Sequence, residues 1–87
     1  MPRSIHTDEY RALTAILLEA RQKAGLTQQE VANRLGKPQS YVAKVERAER
    51  RIDVVEFIAL AKAIGTDPRG LFHTVLATVD APENSRP

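Results

Sequence analysis

Three times in this chain a run of apolar residues at helical spacing stops at a glycine and restarts within three residues at a helix-start signal. Gly25 is followed by Leu26-Thr27, Gly36 by Lys37-Pro38, and Gly65 by Thr66-Asp67-Pro68. A glycine just past a helix takes the left-handed conformation without a Cβ clash, and a cap residue or proline then favours a new first turn. β-Branched residues never form an alternating run of useful length, so strands are not expected. The predicted fold is all-α, five helices around one core.

The first helix begins near Thr7, with Asp8 and Glu9 where acids suit the helix dipole, and buries Leu13, Ile16, Leu17, Ala20 and Ala24. The second opens on a capping box, Thr27 with Glu30, stapled by Leu26 and Val31, and turns Val31, Ala32 and Leu35 inward. The third starts at Pro38 or Gln39, where a missing N–H is tolerated. It points Val42 and Val45 to the core, and Gln39, Ser40, Ala43, Lys44 and Arg47 away from it. The fourth has a second capping box, Asp53 with Glu56, and a staple of Ile52 on Phe57. The fifth carries Leu71, Phe72, Val75, Leu76 and Val79. Leu71 and Phe72 are expected in the core, while Val75, Leu76 and Val79 are candidates for a dimer seam, because the stripe is wide for so small a core.

At 87 residues the chain is one domain, expected over 7–79, with flexible ends at 1–6 and 80–87. Aromatic content is only 5%, so the core must be aliphatic, and its modest size gives weight to helix caps or a partner subunit. The absence of cysteine removes disulfides and thiolate metal sites. No stretch has signal-peptide or membrane-span character, so a soluble, cytoplasmic protein is expected.

Charge is unevenly placed. Residues 34–52 carry six basic and two acidic side chains, net +4, whereas 1–33 are neutral and 53–87 sum to −2. Such a segment can be a footprint for a polyanion or a solvated face of i,i+4 ion pairs. The second and third helices are short and closely joined, which forces a steep crossing. Ala32 supplies the small contact residue and Gly36 the turn.

With its glycine turn and caps, the segment LTQQEVANRLGKPQSYVAKVERAERR resembles the helix-turn-helix of the lambda repressor/Cro-like (Xre) transcriptional regulators. Gln28, Ala32, Gly36, Val42 and Val45 match characteristic positions, and the likeness extends over roughly residues 10–76 through ARQKAGL and RIDVVEFIALAKAIGTDPRGLF. The resemblance implies a sequence-specific double-stranded DNA-binding regulator, a dimeric repressor reading a palindrome through its third helix in the major groove. It places Gln39, Ser40 and Lys44 at base edges, glutamine suiting adenine and lysine guanine. It places Gln28, Lys37, Tyr41, Arg47, Arg50 and Arg51 at backbone phosphates. Arg21 and Glu46 match an ion pair that braces the recognition helix.

Plainer roles stay open for several of these. Tyr41 can be a half-buried packing residue, Arg50 and Arg51 a basic loop, and Arg21 and Glu46 separate surface charges. Many relatives have Ser or Thr in place of Pro38, which cannot cap with a hydroxyl, and glycine in place of Ala48. Alanine in the left-handed region costs about 1–2 kcal/mol, so either the third helix runs past Arg47 or the turn is built differently.

The alternative function is a protein-interaction module, an antitoxin or a transcription adaptor, and a regulatory protein partner is compatible with either reading. An enzyme has no residue set behind it: no nucleophile with base and orienter, no glycine-rich phosphate loop. His6 and His73 are far apart, so no metal, cofactor or small-molecule ligand is expected.

Overall fold

A computed structural model describes residues 7–80 as five helices, with no strand among them: α1 (Asp8–Lys23), α2 (Gln28–Leu35), α3 (Gln39–Glu46), α4 (Val54–Ile64) and α5 (Pro68–Val79). The flexible ends expected at 1–6 and beyond Asp80 lie outside the described residues, and Asp80 itself closes α5. No helix among the described residues is long and apolar enough to cross a membrane.

The helix starts are set locally. Thr27 Oγ1 accepts from the Glu30 N–H (3.0 Å) while Glu30 Oε1 accepts from the Thr27 N–H (2.8 Å). Asp53 and Glu56 repeat the arrangement at 2.7 and 2.9 Å. Each box satisfies two N–H groups that a helix start otherwise leaves bare. The expected cap of α5 is found as well, with Asp67 accepting from the Arg69 N–H and Pro68 in the first turn. At the stops, Gly25, Gly36 and Gly65 all have positive φ.

The end of α3 differs from both alternatives drawn from the sequence. The helix stops at Glu46, and Ala48 itself takes the left-handed conformation, φ 60°. Its N–H donates to Val45 O (3.0 Å) and the Glu49 N–H to Lys44 O (2.8 Å), the paired bonds of a Schellman stop. The Ala48 methyl is buried. Its burial offsets part of the left-handed cost, which is why alanine serves where glycine is the easier residue.

The core joins Leu17, Val31, Ala32, Val42, Val45, Phe57, Leu60, Ala61, Ile64, Leu71 and Val75. Fully burying an aliphatic side chain of this kind contributes about 1.5–3 kcal/mol. α2 packs on α3 and α4, and α1 on α3, α4 and α5. Because α3 is held from two sides it buries a wider arc than one stripe: Ala43, expected to face outward, is buried beside Val42 and Val45.

α5 also sits differently. Leu71, Val75 and Val79, spaced four apart, turn inward, with Val75 in the core and Val79 packed against it. Phe72, expected in the core, is 52% exposed and Leu76 46% exposed. The stripe is two adjacent rows, and packing against α1 and α4 selects the 71–75–79 row. Phe72 keeps only an edge-on contact with Phe57, centroids 6.2 Å apart.

Candidate nucleic-acid interface

The candidate contact surface begins at the turn between α2 and α3. The Lys37 N–H donates to Ala32 O (2.9 Å) across the left-handed Gly36. Pro38 sits at the cap position of α3 in an extended conformation, and no side chain caps this helix. Its first-turn N–H groups therefore face forward without a side-chain acceptor, a favourable place for an anionic oxygen.

From this start α3 presents Gln39, Ser40 and Lys44, with Arg47 at its C-cap, as exposed side chains on one side and Val42, Ala43 and Val45 to the core on the other. The outer four fall at 1, 2, 6 and 9 along a helix of period 3.6, an arc that can enter a groove.

Beneath α3 a chain of polar contacts runs back to α1. Arg21 Nε donates to Glu46 Oε2 (2.6 Å) and Arg21 Nη2 to Glu46 Oε1 (3.0 Å). Arg21 Nη1 donates to Leu26 O (2.7 Å), which fixes the α1–α2 turn. Glu46 Oε1 also accepts from Gln28 Nε2 (2.7 Å), and Gln28 Oε1 accepts from Gln39 Nε2 (2.5 Å). The direction of each bond follows from the first. Glu46 is acceptor-only, so Gln28 must turn its NH2 inward and its carbonyl oxygen toward Gln39. Gln39 is left with its own Oε1 and a second amide N–H, the pair that matches adenine N6 and N7. The sequence pointed to Arg21 and Glu46 as a pair, and the structure joins them; it also brings Gln28, expected at a phosphate, between Glu46 and Gln39.

The basic residues divide by what holds them. Arg47 lies in a two-point pair with Glu49 (3.0 and 3.1 Å), which raises its already high pKa. Arg50 donates to Arg51 O (2.6 Å) and to Glu56 Oε2 (3.0 Å), with its guanidinium 4.8 Å from the Tyr41 ring centre. Lys37 Nζ lies 5.2 Å from the same ring. Burial pushes the Tyr41 hydroxyl pKa up, Glu56 adding to this and Arg50 opposing it. Glu56 is held below the usual carboxylate range, first by the Asp53 backbone N–H and then by Arg50. Tyr41 is thus half-buried between two cations. Arg34, counted in the basic segment, donates to Ala63 O (2.7 Å) in the last turn of α4 and serves the fold.

Sequence reasoning assigned nothing to Tyr10. It is buried in α1, yet its hydroxyl reaches the loop after α3 and its ring lies under Arg51 (5.0 Å). Only its aromatic character, in a chain with few aromatics, set it apart. No three His, Cys, Asp or Glu side chains gather as metal ligands among the described residues.

These features coincide with a known family. The helix-turn-helix family model matches residues 17–71. The chain is 52% identical to an XRE-family like protein from Pseudomonas syringae pv. tomato str. DC3000, over 90% of this chain and 93% of that one, with a TM-score of 0.80. It is 38% identical to the restriction-modification controller protein C.AhdI from Aeromonas hydrophila, over 70% of this chain and 92% of that one, with a TM-score of 0.63. No curated protein matches. The chain is a member of the XRE family of helix-turn-helix DNA-binding transcriptional regulators.

Proposed function

We propose that the protein is a dimeric repressor that reads a palindromic operator by inserting α3 into the major groove. The contact chain from Arg21 through Glu46 and Gln28 to Gln39 carries this reading, because it fixes the orientation of one amide at the front of α3. Gln39, Ser40 and Lys44 face base edges in this proposal; Lys37, Arg47 and Arg51 hold phosphates, with Gln28 and Tyr41 beside them. Arg50, engaged with Glu56 and Arg51 O, acts mainly as a brace of the loop.

The dimer seam proposed is the exposed apolar face of α4 and α5: Val54 and Val55, both 72% exposed, with Ile58, Phe72 and Leu76. Of the residues first considered, Leu76 belongs to this face, whereas Val75 and Val79 sit behind it. A two-fold axis through such a patch makes it self-complementary, and the proposal has that axis direct both copies of α3 to the same side of DNA. C.AhdI is a restriction-modification controller protein, and a controller role of that kind suits this chain.

Selection of binding sites from random duplexes tests the proposal. The expected product is an inverted repeat with half-site centres about one helical turn, roughly 10 bp, apart. An antitoxin or adaptor of the same fold that does not read DNA returns no enriched motif.

A further inference from the structure

We propose that Tyr10 is the positioning residue for a phosphate contact made by Arg51. The inference rests on the reading of the loop after α3 as a phosphate-binding segment.

Tyr10 belongs to the start of α1, and its partners lie some forty positions away in the chain. Its hydroxyl donates to Arg50 O (3.2 Å) and accepts from the Ile52 N–H (3.1 Å). Those two groups belong to the peptide units on either side of Arg51. One hydroxyl therefore closes a bridge across residue 51 and limits both of its backbone torsions. The ring of the same tyrosine lies under the Arg51 guanidinium, 5.0 Å from centroid to Cζ. The remaining carbonyl, Arg51 O, accepts from Arg50 Nη1 (2.6 Å). Backbone and side chain of Arg51 are thus held by a residue that itself is buried.

An arginine whose guanidinium carbon lies over a ring centre is steadied by cation–π attraction, and its N–H donors that are not turned to the ring can form two-point contacts with phosphate. A free loop arginine loses backbone and rotamer freedom when it grips a phosphate, which weakens binding. Here much of that ordering is done by α1 before DNA arrives. Arg50 does not share this arrangement, because its guanidinium is turned to Glu56, Arg51 O and Tyr41. The two adjacent arginines have separate tasks, one as brace and one as ligand.

The test uses the full chain and a fluorescent duplex of scrambled sequence, since a phosphate contact is indifferent to sequence. Affinity is measured by anisotropy between about 50 and 200 mM salt for wild type, Tyr10→Phe, Arg51→Ala and the double variant. Arg51→Ala is expected to weaken binding by about 3–10-fold and to reduce the log–log salt slope by about 0.9, one phosphate. Tyr10→Phe keeps the ring and its packing, and is expected to weaken binding by about 2–5-fold. The double variant should bind no more weakly than Arg51→Ala alone. If Tyr10→Phe costs the same factor in both backgrounds, or nothing in either, Tyr10 has no positioning role. If Arg51→Ala changes neither affinity nor slope, the phosphate reading of Arg51 fails first and takes this one with it. Hydrogen exchange at the Ile52 amide gives a second readout that needs no variant to fold. Protection in the free wild-type protein supports the hydroxyl bridge, and exchange at the rate of an open amide overturns it.

Discussion

Arg21 and Glu46 form a two-point ion pair at 2.6 and 3.0 Å between α1 and the last residue of α3, with side chains only 12% and 7% exposed. The pair joins the helix that would read DNA to the body of the fold. Removing one partner leaves the other charge in a mostly dry site, and such changes cost about 3–5 kcal/mol. Arg21→Met should therefore lower unfolding free energy in urea by about that amount. Replacing both residues by apolar ones should recover part of the stability but not the operator affinity. Full recovery of binding in the apolar double variant would mean that the brace has no role in recognition.

Gln39 sets a prediction about sequence. Its outward Oε1 and N–H match adenine, and a two-point contact of that kind discriminates by about 1–3 kcal/mol. Gln39→Ala should lose an adenine preference at one symmetric pair of operator positions and leave the others intact. Gln28→Ala should blunt the same preference at the same positions, because Gln28 orients Gln39. A uniform loss over all positions would make both residues phosphate contacts. Lys44→Ala should weaken operator binding far more than scrambled-duplex binding, and equal losses would remove it from base reading.

Ala48 allows a test of backbone strain. Ala48→Gly relieves about 1–2 kcal/mol of left-handed cost, loses about 0.8 kcal/mol of methyl burial and frees the unfolded chain by about 0.4–1 kcal/mol. These nearly cancel, so chemical denaturation should place the variant within about 1 kcal/mol of wild type. Ala48→Val puts a β-branched residue at φ 60° and should lose more than about 2 kcal/mol. A valine variant as stable as wild type would show that the turn is not held in this conformation.

The exposed α4–α5 face predicts a charge-sensitive assembly. Phe72→Glu or Leu76→Glu should turn dimers into monomers in light scattering at micromolar concentration, with little change in helix content, since both side chains are half in solvent already. Val75→Glu should unfold the protein, because Val75 is in the core. A wild-type chain that stays monomeric on its operator rules out the two-fold model.

The capping boxes give the pH dependence. Glu30 and Glu56 have pKa values lowered first by hydrogen bonds from the Thr27 and Asp53 backbone N–H groups. A depressed carboxylate stabilises the fold fully above its unfolded pKa, and the effect fades as pH falls through the folded value. The melting temperature should thus be flat near neutrality and decline below about pH 4. Glu30→Gln and Glu56→Gln together should flatten that decline, and an unchanged acid limb would show that other carboxylates set it.

What the sequence made legible were features fixed within a few residues. The boxes at Thr27 and Asp53, the stop at Gly36 and the start after Pro38 all depend on neighbours three or four positions away, and each was found where its residues placed it. The phase of a helix face was harder. Five apolar residues on α5 span two rows, and only the position of α1 and α4 decides that Leu71 and Val75 go inward while Phe72 stays out. Ala43 was misplaced for the same reason, since a small apolar residue fits either side of α3. The links from Gln28 to Gln39 and from Tyr10 to the loop at 50–52 cross 11 and about 40 positions, and no local spacing encodes them.

Four of the five described helices start at a side-chain cap and four stop at a left-handed residue, each within one turn of the helix end. Structure of that kind forms early and quickly, because short-range contacts close with little loss of chain entropy; helical domains rich in them fold in microseconds to milliseconds. A newly made chain would then reach its native shape long before it meets a second copy. If the protein pairs as proposed, its concentration is then the slow variable, and the timing of its response follows the rate of its synthesis.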